Sequence, residues 1–139
     1  MSGPHPEVAI EEGARLGAAE YRGLRADAGW SAPAAADPAL QRALDASWNV
    51  TARTGAGELV GMGRLLDDGA LYASIWDMIV RTDHRGHGVG GTIFAALMRR
   101  AGDRDLVALV ATPLGAPMYR RAGFAESSRG STALLWRRP

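Results

Sequence analysis

The spacing of apolar and polar residues is weak at the start of the chain and then becomes regular. Residues 7–10 suggest a short first strand. From about residue 14 to 28, Leu16, Ala19 and Leu24 recur at helical spacing, and Gly29 with Pro33 just beyond supplies the stop. Asp37 as N-cap and Pro38 at the first helical position predict a second helix to about Ser47, with Leu40, Ala43 and Leu44 on its apolar face. Residues 48–54, 58–66 and 71–81 read as three strands of an antiparallel meander, the first two joined at Gly55-Ala56-Gly57. Ile93, Phe94, Leu97 and Met98 then mark a helix that begins near Gly88 and ends before Asp103. Residues 106–111 predict another buried strand, 116–122 a short helix closed by Gly123, and 132–137 a last strand. A helix pair, a meander and a strand–helix–strand unit together define an α+β, or mixed α/β, sandwich.

Composition narrows the chemistry. A chain of 139 residues fits a single domain over 1–139, and 47% hydrophobic residues supply a core for it. No apolar run approaches the roughly 20 residues needed to span a bilayer. Met1 to Pro6 lacks the basic start and apolar stretch of a signal peptide, so a cytoplasmic location away from membranes is expected. The absence of cysteine excludes a disulfide framework, a thiolate nucleophile and a cysteine metal site. A formal charge of +1 provides no basic excess for nucleic acid. All 16 basic residues are arginine, which removes Schiff-base lysine and P-loop lysine chemistry.

The candidate chemistry starts at Arg85-Gly86-His87-Gly88-Val89-Gly90, between a buried strand and an amphipathic helix. Glycines there leave backbone N–H groups unobstructed, and with the positive helix terminus they form an anion site to which Arg85 adds charge. The competing reading is a strand-to-helix turn with no ligand. Gly86, Gly88 and Gly91 also match the G-x-G-x-x-G dinucleotide fingerprint. That fingerprint follows its strand directly and opens a large doubly wound domain. Here Arg81-Thr82-Asp83-His84 intervenes and fewer than 50 residues remain after the loop, so a Rossmann domain does not fit. No Gly-Lys-Ser/Thr follows either, which excludes a Walker loop.

The segment from Asp77 to Ile93 resembles the strand, loop and helix motif of the GNAT (general N-acetyltransferase) superfamily. Its Arg/Gln-x-x-Gly-x-Gly/Ala core is met by Arg85, Gly88 and Gly90. A second segment, Leu106 to Phe124, resembles the family's next strand and its Phe-Tyr-x-x-x-Gly-Phe helix, with Met118 in place of the usual aromatic. The resemblance covers about residues 21–124. It implies a mixed, mostly antiparallel sheet flanked by helices, with a splayed parallel strand pair binding acetyl-CoA as co-substrate and no metal. It further implies that the backbone of Met78, Ile79 and Val80 pairs with the pantetheine arm. Gly86, His87, Gly88, Val89, Gly90, Gly91 and Thr92 would wrap the pyrophosphate. Thr112 stands where many family members carry an asparagine that faces the cofactor.

Acetyl transfer requires a neutral amine, a polarised thioester and a proton for the departing thiolate. Tyr119 matches the family's general acid; its other reading is a core aromatic. Asp77 is the one ionisable residue in an apolar strand, and a buried carboxylate there is either a base or a brace for the fold. Strand alternation would put it on the face opposite Trp76 and Met78. A base acting through water is the alternative. His84 and His87 read as solvated loop residues, with no ligand cluster for a metal around them. Trp30, Trp48 and Trp76 are candidates for an aromatic acceptor pocket or for core packing. Gly29-Trp30-Ser31 is the specificity element that the family analogy implies. The stretch from Tyr21 to Trp30, Gly61-Met62-Gly63-Arg64 and the Trp76-Asp77 strand resemble small bacterial acetyltransferases and plastid arylalkylamine (serotonin) acetyltransferases. This implies a primary amine acceptor, on a small molecule or on a protein lysine or N-terminus. A non-catalytic acyl-CoA sensor, another acyl donor and a hydroxyl acceptor stay open. A homodimer is expected through the edge of the strand at Ala133-Leu134-Leu135-Trp136.

Overall fold

In the computed structural model the described residues are 7–139, so the reading of Met1 to Pro6 lies outside them. The chain forms two compact units, Met1–Leu109 and Val110–Pro139.

The first unit is built on a five-stranded sheet of order β1-β2-β3-β4-β5. The strands are β1 (Val8–Glu12), β2 (Trp48–Thr54), β3 (Leu59–Asp67), β4 (Tyr72–Val80) and β5 (Leu106–Leu109). Strands β1 to β4 pair antiparallel, and β5 joins β4 in parallel. The meander read from the sequence is therefore present, with β1 as a fourth antiparallel strand that runs two residues past Ile10 through Glu11 and Glu12. Helices α1 (Ala18–Asp27) and α2 (Asp37–Ala46) cover one face, and α3 (Val89–Ala101) packs on the other.

Helix α1 begins four residues later than the periodicity predicts. Ala14 and Leu16 are buried in chain without regular structure, where the Ala14 amide donates to the Asn49 carbonyl at 2.9 Å. Their apolar character serves the core without helical geometry. The α1 start is fixed by Glu20, which accepts from the Gly17 amide at 3.0 Å, and by Gln41 of α2, which bonds the Ala18 amide and the Leu16 carbonyl, both at 2.9 Å. In α2 the N-cap is Ala36 and not Asp37, which stands inside the first turn and pairs with Arg22 at 2.8 Å.

The core of the α1/α2 face joins Leu16, Tyr21, Leu24, Leu40 and Leu44 to Met62 and Ile79 of the sheet. On the α3 face, Gly61 and Gly63 let the helix approach closely. A Cβ on Gly63 would meet the Met78 sulfur at 2.6 Å and Leu97 and Ile93 of α3 at 2.8 and 2.9 Å. No helix among the described residues is long and apolar enough to cross a membrane.

In the second unit α4 (Ala116–Arg121) is followed by Gly123 at φ 101°, as the sequence predicts. The expected strand over 132–137 is not formed. A two-residue hairpin, β6 (Ser127–Ser128) with β7 (Ser131–Thr132), occurs instead, and its turn places Arg129 and Gly130 at φ 53° and 77°. Residues 133–139 carry no regular structure, and Leu134 and Trp136 are 89% and 82% exposed. The strand edge expected to support dimerisation at Ala133–Trp136 is thus absent; four apolar residues in a row do not make a strand without a neighbour to bond.

Candidate active site

Strand β4 changes character halfway along. Tyr72 to Ile75 pair with Leu106 to Leu109 of β5, and there the parallel ladder ends. Trp76, Ile79 and Val80 stay in antiparallel register with β3, and the stretch from Trp76 to Val80 has no strand partner on the β5 side among the described residues. Their register against β3 slips by one between Met62 and Arg64, so that Gly63 faces both Asp77 and Met78. This bulge is centred on Asp77, which has φ 54°, a left-handed conformation rare for a residue with a side chain.

The bulge overturns the expected alternation. Trp76 lies opposite Arg64 in register, and the next residue, Asp77, is ion-paired to that same Arg64, so both face α1 and α2. Met78 turns the other way, against Gly63 and α3. The carboxylate of Asp77 accepts from Tyr21 Oη at 2.8 Å and Arg64 Nη1 at 2.8 Å through Oδ2, and from Arg25 Nη1 at 3.0 Å through Oδ1. Burial, and then the charge of Asp77, push the Tyr21 hydroxyl above its usual range, which keeps it a donor. Arg25 and Arg64 also stack over the Tyr21 ring at 5.7 and 5.8 Å, and Arg25 over Trp30 at 5.4 Å. Sequence reasoning gave Tyr21, Arg25 and Arg64 no part in the site. They lie 56, 52 and 13 residues from Asp77, and no local pattern announces that they meet.

After β4 the chain makes a single 3-10 turn, Thr82–His84, and then the glycine loop. Asp27 at the end of α1 holds this turn by accepting from the Thr82 amide at 2.9 Å. Asp83 is held down at about 2 by Arg81 and then by His84. His84 is 7% exposed and bonds Asp83 through Nδ1 at 2.8 Å, so it is an anchored residue of the turn and not the solvated one expected. Gly86 and Gly88 take φ 80° and 79°, and Gly88 is the N-cap of α3. A Cβ at Gly86, Gly88 or Gly91 would meet no protein atom within 4 Å. The first bonded amide of α3 is Thr92, to the Gly88 carbonyl at 3.0 Å, which leaves the earlier amides without a helical acceptor in a turn that contains no acidic residue. Arg85 reaches back and donates from Nε to the Val80 carbonyl at 3.0 Å. The loop therefore fits a diphosphate: donors, positive dipole and open space coincide.

The three tryptophans are not brought together. Trp48 faces α3 and lies under Arg100 at 4.9 Å, Trp30 lies under Arg25, and the 40%-exposed Trp76 donates from its indole to Ser74 Oγ at 2.7 Å. In the second unit Thr112 lies in the turn before α4, whose N-cap is Gly115, and its carbonyl accepts from the Gly115 and Ala116 amides at 3.1 and 2.9 Å. Tyr119 is 7% exposed, meets Phe124 edge-on at 6.3 Å, and has its hydroxyl pushed up by burial.

A family model described as Acetyltransferase (GNAT) family matches residues 13–124, which take in all of β2 to β5, the glycine loop and α4. The chain belongs to the GNAT acetyltransferase family. Histone acetyltransferase TAP1 of Glycine max is 32% identical over 80 residues, 56% of this chain and 35% of that protein. The chain thus spans about a third of the length of the soybean relatives it matches. A GNAT-family acetyltransferase of Streptococcus pneumoniae superimposes with a TM-score of 0.78 at 23% identity, over 95% of this chain and 98% of that one. The structure of AAC(6')-Iy with a CoA-containing bisubstrate analog gives 0.67 at 18% identity, over 96% of this chain and 99% of that one. The GNAT fold, with its mostly antiparallel sheet and one parallel pair, is the fold of this chain.

Proposed function

We propose that this protein is an acetyl-CoA-dependent N-acetyltransferase that passes the acetyl group to a primary amine by direct attack in a ternary complex. The observation that carries the reading is the conjunction of a β4 edge that has no strand partner beyond Ile75 among the described residues with an open left-handed glycine loop at the start of α3. In this reading the backbone of Met78, Ile79 and Val80 offers hydrogen bonds to the amides of the pantetheine arm. Gly86, His87, Gly88, Val89, Gly90, Gly91 and Thr92 surround the diphosphate, with Arg85 beside it. Thr112 is carried over as a donor-facing residue from the family resemblance alone.

The chemistry needs one bond made and one broken. The amine nitrogen bonds to the acetyl carbon, the carbon–sulfur bond breaks, the sulfur takes a proton from the Tyr119 hydroxyl, and the amine proton leaves to water, from which Tyr119 is reprotonated. The Tyr119 phenol is protonated at neutral pH, the state a proton donor needs, and burial raises it further above its usual value. A small-molecule amine is the acceptor favoured here. The name of the soybean relative supports a protein lysine as the second reading.

Thiol release across a panel of acyl-CoA donors and amines tests the proposal. Release from acetyl-CoA that depends on an amine, and falls about 10²-fold or more in Tyr119→Phe, is the expected result. A hydroxyl acceptor, a preference for another acyl group, or donor binding with no turnover would each replace it.

A further inference from the structure

The groups that converge on Asp77 belong to one connected network. Arg64 divides its nitrogens among Asp77, the Ser47 hydroxyl at 3.0 Å and the Ala43 carbonyl at 3.2 Å. Ser47 accepts from Arg64, so its own proton is available to Asn49 Oδ1 at 2.7 Å. The buried Asn49 amide then donates to the Leu44 carbonyl at 2.9 Å and the Ala14 carbonyl at 3.4 Å. On the other side, Arg25 joins Asp77 to the Ser31 carbonyl, which accepts from Nε at 3.1 Å and Nη2 at 2.6 Å. One carboxylate therefore links the β4 bulge to α1, to the segment after α1, and through Arg64 to the end of α2. Networks of this kind stand or fall as a unit.

We infer that Asp77 is a positioning residue: its carboxylate, clamped by Tyr21, Arg25 and Arg64, pins the left-handed bulge that holds the Met78–Val80 backbone as an open edge. Through Arg25 the same clamp fixes the segment around Ser31. Residues with a side chain adopt such a φ when their surroundings over-determine it, and three donors on one side chain do so. Only 10% of the Asp77 side chain is exposed, and its partners Arg25 and Arg64 are 18% and 12% exposed, so solvent screens the clamp little. The geometry also opposes a proton-accepting role. Both oxygens already accept from a guanidinium, and an amine would have to displace one of them to be deprotonated.

The inference rests on the coenzyme A reading of that edge, and calorimetric titration of coenzyme A separates the two. Asp77→Asn keeps the size and the tolerance for positive φ but removes the charge that clamps the arginines. Measured well below its melting temperature, it is expected to bind coenzyme A about tenfold more weakly than the natural protein. Tyr21→Phe, which removes one donor and keeps the ring, is expected to weaken binding about two- to threefold and serves alone should Asp77→Asn fail to fold. A double-mutant cycle between Asp77→Asn and Arg64→Gln is expected to show strong non-additivity in affinity. Unchanged affinity in folded Asp77→Asn, with turnover abolished, would make Asp77 the base and overturn the inference. If the natural protein itself binds no coenzyme A, the donor reading fails instead.

Discussion

The two left-handed stretches of the site are held in opposite ways. At Gly86 and Gly88 the backbone turns left because no side chain is present, and the space a Cβ would fill is open. At Asp77 it turns left because a side chain is present and three partners hold it. The first arrangement leaves amides and room for a ligand. The second fixes where the neighbouring edge sits. Removing a side chain is therefore damaging at one place, and adding one is damaging at the other.

The largest effect is expected at the clamp. Asp77→Ala strands two mostly buried guanidiniums and keeps an unfavourable φ, so chemical denaturation should show a loss of about 3 kcal/mol. A loss below about 1 kcal/mol would mean the bulge holds itself. Gly88→Ala comes next: a Cβ at φ 79° meets no atom but strains the backbone, for about 1–2 kcal/mol. Gly88→Asn should lose less, since asparagine tolerates this region. Equal losses for the two would point to a crowded loop.

Gly91→Ala sharpens the contrast most. Gly91 has helical backbone and its Cβ would meet nothing in the protein, so alanine should stabilise α3 by about 0.5–1 kcal/mol. The same methyl group stands where the diphosphate is proposed to approach, and coenzyme A affinity should fall about tenfold. A variant that is more stable and binds equally well would move the ligand elsewhere.

The smallest effect concerns the closed half of β4. There Arg104 grips Asp67 at 2.7 and 2.9 Å and, with the Gly69 amide, holds its carboxyl below the usual 3.8. A lowered folded value means that this stabilisation is complete above the ordinary value and is lost as pH falls through the folded one. Melting followed between pH 5 and 2 should show a shallower acid decline in Asp67→Asn than in the natural protein. Identical declines would mean that the Arg104–Asp67 pair adds no acid-dependent stability.

These contrasts also separate what the sequence discloses from what it hides. The glycine loop and α3 are legible because their cause is local: Gly88, the apolar period of Ile93, Phe94 and Leu97, and the preceding strand are contiguous. The bulge at Asp77 is hidden because its cause lies on α1 and β3, so period-two alternation misassigns the face of Asp77. Ala14 and Leu16 mislead in a third way, since burial in irregular chain mimics a helical period. His84 looks solvated because its anchor, Asp83, is an ordinary loop neighbour. Ala133 to Trp136 have strand composition, but composition supplies no neighbouring strand to bond.

The most direct measurement is backbone amide exchange with and without saturating coenzyme A. The account predicts slowed exchange at Met78 to Val80 and across the first turn of α3 from Val89 to Gly91, with β1 unchanged. Binding that protects other segments, or no binding at all, would contradict it.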